Sequence, residues 1–139
     1  MHLFSKYNKI YLFFLFLLLS TPLIGQITYP MNDGDRVCYN VQIEFHESYL
    51  SGMCIMKNQE GDIIASVVNE FGISLIDFTY SEKKDKVKIY RVIKPLNRWY
   101  IKRALKRGIK NMLKMMKLGG SKYIDKKNNL TYIFTLNET

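Results

Sequence analysis

The sequence predicts an α+β fold: an antiparallel β-meander that forms a curved sheet, covered by one long amphipathic helix and followed by a C-terminal β-hairpin. Apolar residues alternate along short runs between residues 37 and 93, separated by turn signals about every eight to twelve residues, which is typical of antiparallel strands. After Pro95 the apolar spacing changes to three and four, the period of a helix. No helix-length segment separates the strand-like runs, so parallel βαβ units are not expected.

The meander is expected to contain five strands. In the first, Val37–Phe45, the odd positions are apolar and face one side, and the even positions are mostly polar. The other runs are Tyr49–Lys57, Ile63–Phe71, Ile73–Tyr80 and Val87–Ile93. In the third run, the side chains expected to share a face are Ile63, Ala65, Val67 and Phe71.

The helix is expected between Leu96 and Leu118, with Asn97 as the N-cap and Gly119-Gly120 as the left-handed stop. Gly108 lies in its interior and costs about 1 kcal/mol relative to alanine. Close packing of that turn against the sheet would explain the glycine.

The closing hairpin is expected from Lys122–Ile124 and Leu130–Leu136, joined by a turn at Asp125–Asn129.

The start of the chain has the three parts of a secretory signal peptide. Lys6 and Lys9 precede the apolar run Ile10–Leu19, and the small Gly25 lies just before Gln26. The run is shorter than the roughly 20 apolar residues that span a bilayer. We therefore expect cleavage near Gly25-Gln26, a single domain over 26–139, and a location in the periplasm or cell envelope.

Basic residues are concentrated in the helical segment. The net charge of the chain is +9, and without Lys6 and Lys9 it is +7. Such a surface favours an anionic membrane surface or an acidic envelope protein, and export argues against nucleic acid. The alternative is a solvated outer face, although such a face usually mixes charge signs. The residues expected to contact an anion are Lys102, Arg103, Lys106, Arg107, Lys110 and Lys114.

The inner face of the helix and the sheet could enclose an apolar groove for a lipid or acyl chain. The same residues at the same spacing could equally form an ordinary core. The residues expected to line the groove are Ile63, Val67, Phe71, Leu75, Phe78, Trp99, Leu105, Ile109 and Met112.

Few side chains suit catalysis. His46 is the one histidine beyond the signal segment, and a thiolate–imidazole pair with Cys38 or Cys54 would be the enzymatic hypothesis. A histidine at a strand end is the favoured interpretation. The two cysteines could form a disulfide in an exported protein, or be small buried hydrophobes. We expect a protein that is not an enzyme, with no metal and no cofactor.

Two segments carry a family resemblance: Ser51–Lys57, and Val68–Phe78 with its Asn-Glu-Phe-Gly and Asp-Phe motifs. They resemble small exported proteins of Bacteroidetes-type bacteria and, more distantly, the lipoprotein-localisation carriers and receptors of the bacterial envelope. The resemblance covers residues 37–117. It implies a curved antiparallel sheet capped by helix, with a concavity for acyl chains. The leading hypothesis is therefore a non-catalytic envelope protein that binds lipid between sheet and helix; the alternative is a module that docks through its basic helix.

Overall fold

A computed structural model describes residues 27–138, so the predicted signal peptide and its cleavage site at Gly25-Gln26 lie outside the described residues. Within that range the chain forms seven strands, one α-helix and a short 3-10 turn at Lys94–Leu96. The strands are β1 (Arg36–Phe45), β2 (Ser48–Gln59), β3 (Asp62–Val68), β4 (Ser74–Ser81), β5 (Lys86–Val92), β6 (Lys122–Asp125) and β7 (Leu130–Leu136), and the helix is α1 (Trp99–Lys117).

All seven strands belong to one antiparallel sheet in the order β5-β4-β3-β2-β1-β7-β6. The first five strands form the predicted meander, and the C-terminal hairpin adds to it because β7 pairs with β1. The sheet is curled, and α1 contacts β5 at one edge and β6 and β7 at the other. The α+β prediction, a curved meander covered by one long helix, is confirmed.

The core lies between the sheet and α1. The alternation predicted for β1 is observed: Val37, Tyr39, Val41 and Ile43 are buried and their neighbours face the other side. The helix completes this core with one face. Its buried residues are Leu105, Gly108, Ile109, Met112, Leu113 and Met116.

The third strand is shorter than predicted. It ends at Val68 because the Asn69 side chain starts a turn: its Oδ1 accepts hydrogen bonds from the backbone N–H groups of Phe71 and Ile73, both at 2.9 Å. Phe71 therefore does not share a face with Ile63, and that prediction is wrong.

The helix begins at Trp99 rather than at Leu96, and its N-cap is Arg98 rather than Asn97. The Asn97 N–H instead donates to the Lys94 carbonyl at 3.1 Å and closes the separate 3-10 turn. At the other end the prediction is confirmed: Gly119 has φ +93°, the left-handed conformation that stops the helix.

Gly108 marks the closest approach of α1 to the sheet. A Cβ atom at this position would overlap the ring of Tyr132, a fully buried residue of β7. The expected reason for this glycine is thus observed, since any side chain would push α1 away from β7.

Strand register places several connections at one end of the sheet, which we call the Trp99 end: residues 46–47, 69–73, 93–98 and 126–129. The helix starts there and runs toward the β4–β5 turn at the opposite end. Its C-terminal Lys117 contacts Glu82 of that turn, with Nζ and Oε1 2.8 Å apart. The two ends of α1 therefore face different surroundings.

Candidate functional site: the first half of the helix

Seven of the nine residues predicted to line a groove do meet between sheet and helix, but as a packed core. They form one cluster of buried side chains and leave little surface exposed. These are Ile63, Val67, Leu75, Phe78, Leu105, Ile109 and Met112. A depression of about 580 Å³ lies instead on the helix-free face, lined in part by Asn40, Gln42, Ser51 and Met53.

The other two, Phe71 and Trp99, lie outside this interface. Trp99 is the first residue of α1 and 73% of its surface is exposed, while Phe71 lies in the β3–β4 turn with 79% exposed. Trp99 also contacts Tyr100 edge-to-face, with ring centroids 5.8 Å apart. Both aromatic rings precede Leu105, the first buried position of α1, so the helix start presents them to solvent.

Four cations of the first half of α1 are unpaired. The side chains of Lys102, Arg103, Lys106 and Arg107 form no hydrogen bond and no ion pair within residues 27–138. Lys102 is half-buried and the other three are exposed. These four are the members of the predicted anion-contact set that have no ion-pair partner among the described residues.

The remaining two members of that set behave differently. Nζ of Lys110 and Nζ of Lys114 lie 3.2 Å and 3.1 Å from Oδ2 of Asp85, which belongs to the β4–β5 turn. Sequence reasoning found no acid within the helix and missed these partners, because they come from another element. The available signal in the sequence was the charged segment Glu82–Lys86 between the fourth and fifth strands, which contains Glu82 and Asp85.

Asp85 is held as a carboxylate by its neighbours. A hydrogen bond from the Tyr80 hydroxyl, 2.8 Å from Oδ1, and the ammonium groups of Lys114 and Lys110 lower the pKa of Asp85 from 3.8 to about 2. The carboxylate therefore stays charged near neutral pH and maintains its ion pairs with Lys110 and Lys114. Burial, with the Asp85 hydrogen bond, raises the pKa of Tyr80 to about 12.

The electrostatic result is an asymmetric helix. In its second half, Lys110, Lys114 and Lys117 form ion pairs with Asp85 and Glu82 of the β4–β5 turn, whereas the four cations of its first half have no ion-pair partner among residues 27–138. The first turn contains no acidic residue and the N-cap forms no side-chain hydrogen bond, so the positive end of the helix dipole adds to the same field.

The thiolate–imidazole pair considered for His46 with Cys38 or Cys54 is not formed, because Cys54 lies opposite Tyr39, next to Cys38 and far from His46 along the sheet. His46 lies in the β1–β2 turn, where Nδ1 is 2.8 Å from the Asn129 side-chain nitrogen. Cys38 pairs in register with Ile55 near the start of β1, seven strand positions from Phe45 at its end. At about 3.3 Å per residue this separates His46 from Cys38 by roughly 25 Å.

The two cysteines are free. Cys38 is half-buried on the helix-free face, whereas Cys54 points into the core opposite Tyr39 and is fully buried. They lie on opposite faces of the sheet, so the disulfide is not formed. Burial raises the pKa of the Cys54 thiol, as expected for a small buried hydrophobe.

Residues 27–138 hold no group of three or more His, Cys, Asp or Glu side chains arranged to bind a metal ion. In the same part of the chain, no helix is both long and apolar enough to cross a membrane.

Comparisons with protein-family models, with curated proteins and with solved structures found no match to this chain. The resemblance to lipoprotein-localisation proteins therefore stays a prediction from the sequence.

Proposed function

We propose that this protein is a non-catalytic, exported envelope protein that docks on an anionic membrane surface through the first half of α1. The observation that carries the proposal is the combination at one place of four unpaired cations with two exposed aromatic residues, Trp99 and Tyr100. The predicted signal peptide supports a location where such a surface is accessible.

The aromatic pair favours a membrane over an acidic protein or nucleic acid. Tryptophan and tyrosine combine an apolar ring with a polar atom, and both are enriched where a bilayer meets water. Flanking arginine and lysine side chains contact phosphate groups at the same depth. Because Trp99 and Tyr100 are exposed beside the cations, both contributions can act together.

The expected strength is that of a reversible contact. Each Lys or Arg near an anionic surface contributes about 1 kcal/mol, so the four unpaired cations supply about 4 kcal/mol, equivalent to a dissociation constant near 1 mM. Insertion of the aromatic rings would add to this. The contact should weaken with salt, because exposed charges are screened over about 8 Å at physiological ionic strength.

Lipid or acyl-chain binding between sheet and helix remains a separate hypothesis. It requires α1 to move, since the seven interface residues listed above fill that space. Native mass spectrometry of gently purified protein would separate the two hypotheses, because a bound lipid adds its mass to the folded chain.

Co-sedimentation of the mature protein with vesicles tests the proposal. We expect binding to vesicles of phosphatidylglycerol and phosphatidylcholine, little binding to phosphatidylcholine alone, and weaker binding at 0.5 M than at 0.1 M salt. Equal binding to the two vesicle types, or none to either, would contradict docking by charge.

A further inference from the structure

The β3–β4 turn, residues 69–73, displays two apolar side chains on a well-defined scaffold. The Asn69 N–H donates to the Ile73 carbonyl at 2.9 Å and the Gly72 N–H to the Asn69 carbonyl at 3.0 Å, in addition to the two hydrogen bonds accepted by the Asn69 side chain. Gly72 has φ +77°, which favours glycine. The turn is therefore specified by its sequence, yet Phe71 and Ile73 are left mainly in water, with 58% of Ile73 exposed.

This turn and the start of α1 lie at the same end of the sheet. β4 begins just after the turn, and its Ile76 pairs with Val92 at the end of β5. The Ile93 N–H donates to the Leu75 carbonyl at 3.0 Å, which fixes the segment leading to Trp99 next to the turn. Two neighbouring connections thus place exposed apolar side chains at the same end of the sheet.

The surroundings of the two segments are basic. Lys94 and Arg98 are exposed between β5 and α1, and neither side chain has a hydrogen bond or ion pair among the described residues. Glu70 is the single charged residue of the turn. Exposed apolar side chains bordered by unpaired cations match the boundary between lipid headgroups and acyl chains, where apolar groups are buried and cations contact phosphate.

We propose that Phe71 and Ile73 insert into the boundary between headgroups and acyl chains of an anionic bilayer, together with Trp99 and Tyr100. The inference rests on the proposed membrane docking and adds a second, apolar anchor and an orientation. The Trp99 end of the sheet faces the bilayer, and the β4–β5 turn and the C-terminus of α1 face away from it. The occupant of this apolar surface is the bilayer interface.

Leu118 provides a matched control position. It is 87% exposed and follows the last residue of α1, at the opposite end from Trp99. At 1.5 Å per residue, the two positions are about 28 Å apart along the axis. A tryptophan at position 118 should therefore be as exposed as one at position 71 but remain outside the bilayer.

The experiment compares two single-tryptophan variants, Phe71→Trp with Trp99→Phe, and Leu118→Trp with Trp99→Phe. Both are mixed with phosphatidylglycerol vesicles containing lipids brominated near the start of the acyl chain. We expect at least twofold quenching and a blue-shifted emission for the tryptophan at position 71, and no change at position 118. Co-sedimentation establishes that each variant is bound, and circular dichroism that each is folded.

The outcomes distinguish the inference from the proposed function. Binding of both variants without quenching at position 71, or with equal quenching at both positions, would overturn the inserted turn and leave docking by the helix in place. Absence of binding by the wild-type protein would overturn both.

A second variant, Phe71→Ser with Ile73→Ser, gives an independent readout. Loss of apolar burial should weaken vesicle binding by about tenfold, by a similar factor at low and high salt, because salt does not screen apolar insertion. An unchanged affinity would contradict the proposal.

Discussion

Replacing Gly108 by alanine should destabilise the protein by about 2 kcal/mol. The added Cβ would overlap the ring of Tyr132, which is fully buried and cannot move into solvent. Overpacking of this kind typically costs about 1–3 kcal/mol, and the severe overlap places the cost at or above the upper end. The better helix propensity of alanine offsets about 1 kcal/mol. The free energy of unfolding, from urea titration followed by circular dichroism, measures the effect.

A double-mutant cycle controls for the helix itself. Tyr132→Leu alone should destabilise by leaving a cavity, but in that background Gly108→Ala should be neutral or stabilising, because the ring is gone. A strongly favourable coupling between positions 108 and 132 is therefore expected. If alanine costs the same with and without Tyr132, the close approach of α1 to β7 is not the reason for this glycine.

Replacing Arg103, Lys106 and Arg107 together by glutamine should weaken binding to anionic vesicles about a hundredfold. The three side chains are exposed and have no partners among residues 27–138, so their charge is fully available to a membrane. Each removed charge costs about 1 kcal/mol of binding, and every 1.4 kcal/mol is tenfold. Folding should be preserved, and relief of like-charge repulsion should stabilise α1 by a few tenths of a kcal/mol.

The matched control removes the same charge at the opposite end of the sheet. Lys83 and Lys84 lie in the β4–β5 turn and Lys86 begins β5; all three are exposed and form no ion pair within the described part of the chain. Their replacement by glutamine should weaken binding by less than threefold. An equal loss in both triple variants would mean that net charge, rather than the first half of α1, determines binding.

Most of the fold could be predicted from local patterns. Alternating apolar residues predicted β1, and the change of period after Pro95 predicted α1, because each pattern reports which face of an element is buried. Prediction from local patterns reaches its limits at Asn69 and Asn97. There, side-chain and backbone hydrogen bonds, rather than apolar spacing, decide where an element ends.

The candidate site was harder to predict because it depends on contacts between distant segments. The sequence prediction placed Trp99 with the apolar face of α1. At about 3.6 residues per turn, however, Trp99 shares a face with Arg103 and Lys106, and 73% of it is exposed. Likewise, Lys110 and Lys114 resemble Arg103 in the sequence, and only the fold brings Asp85 to them. The separation of α1 into a half with ion-paired lysines and a half with unpaired cations is a tertiary property.

The emission of Trp99 tests the central claim most directly, because it is the one tryptophan of the chain and begins the proposed docking surface. In the wild-type protein, anionic vesicles should shift its emission to shorter wavelength and protect it from acrylamide, and neutral vesicles should do neither. Sedimentation with anionic vesicles while emission and acrylamide quenching stay unchanged would show that another surface faces the membrane, and would contradict docking through the first half of α1.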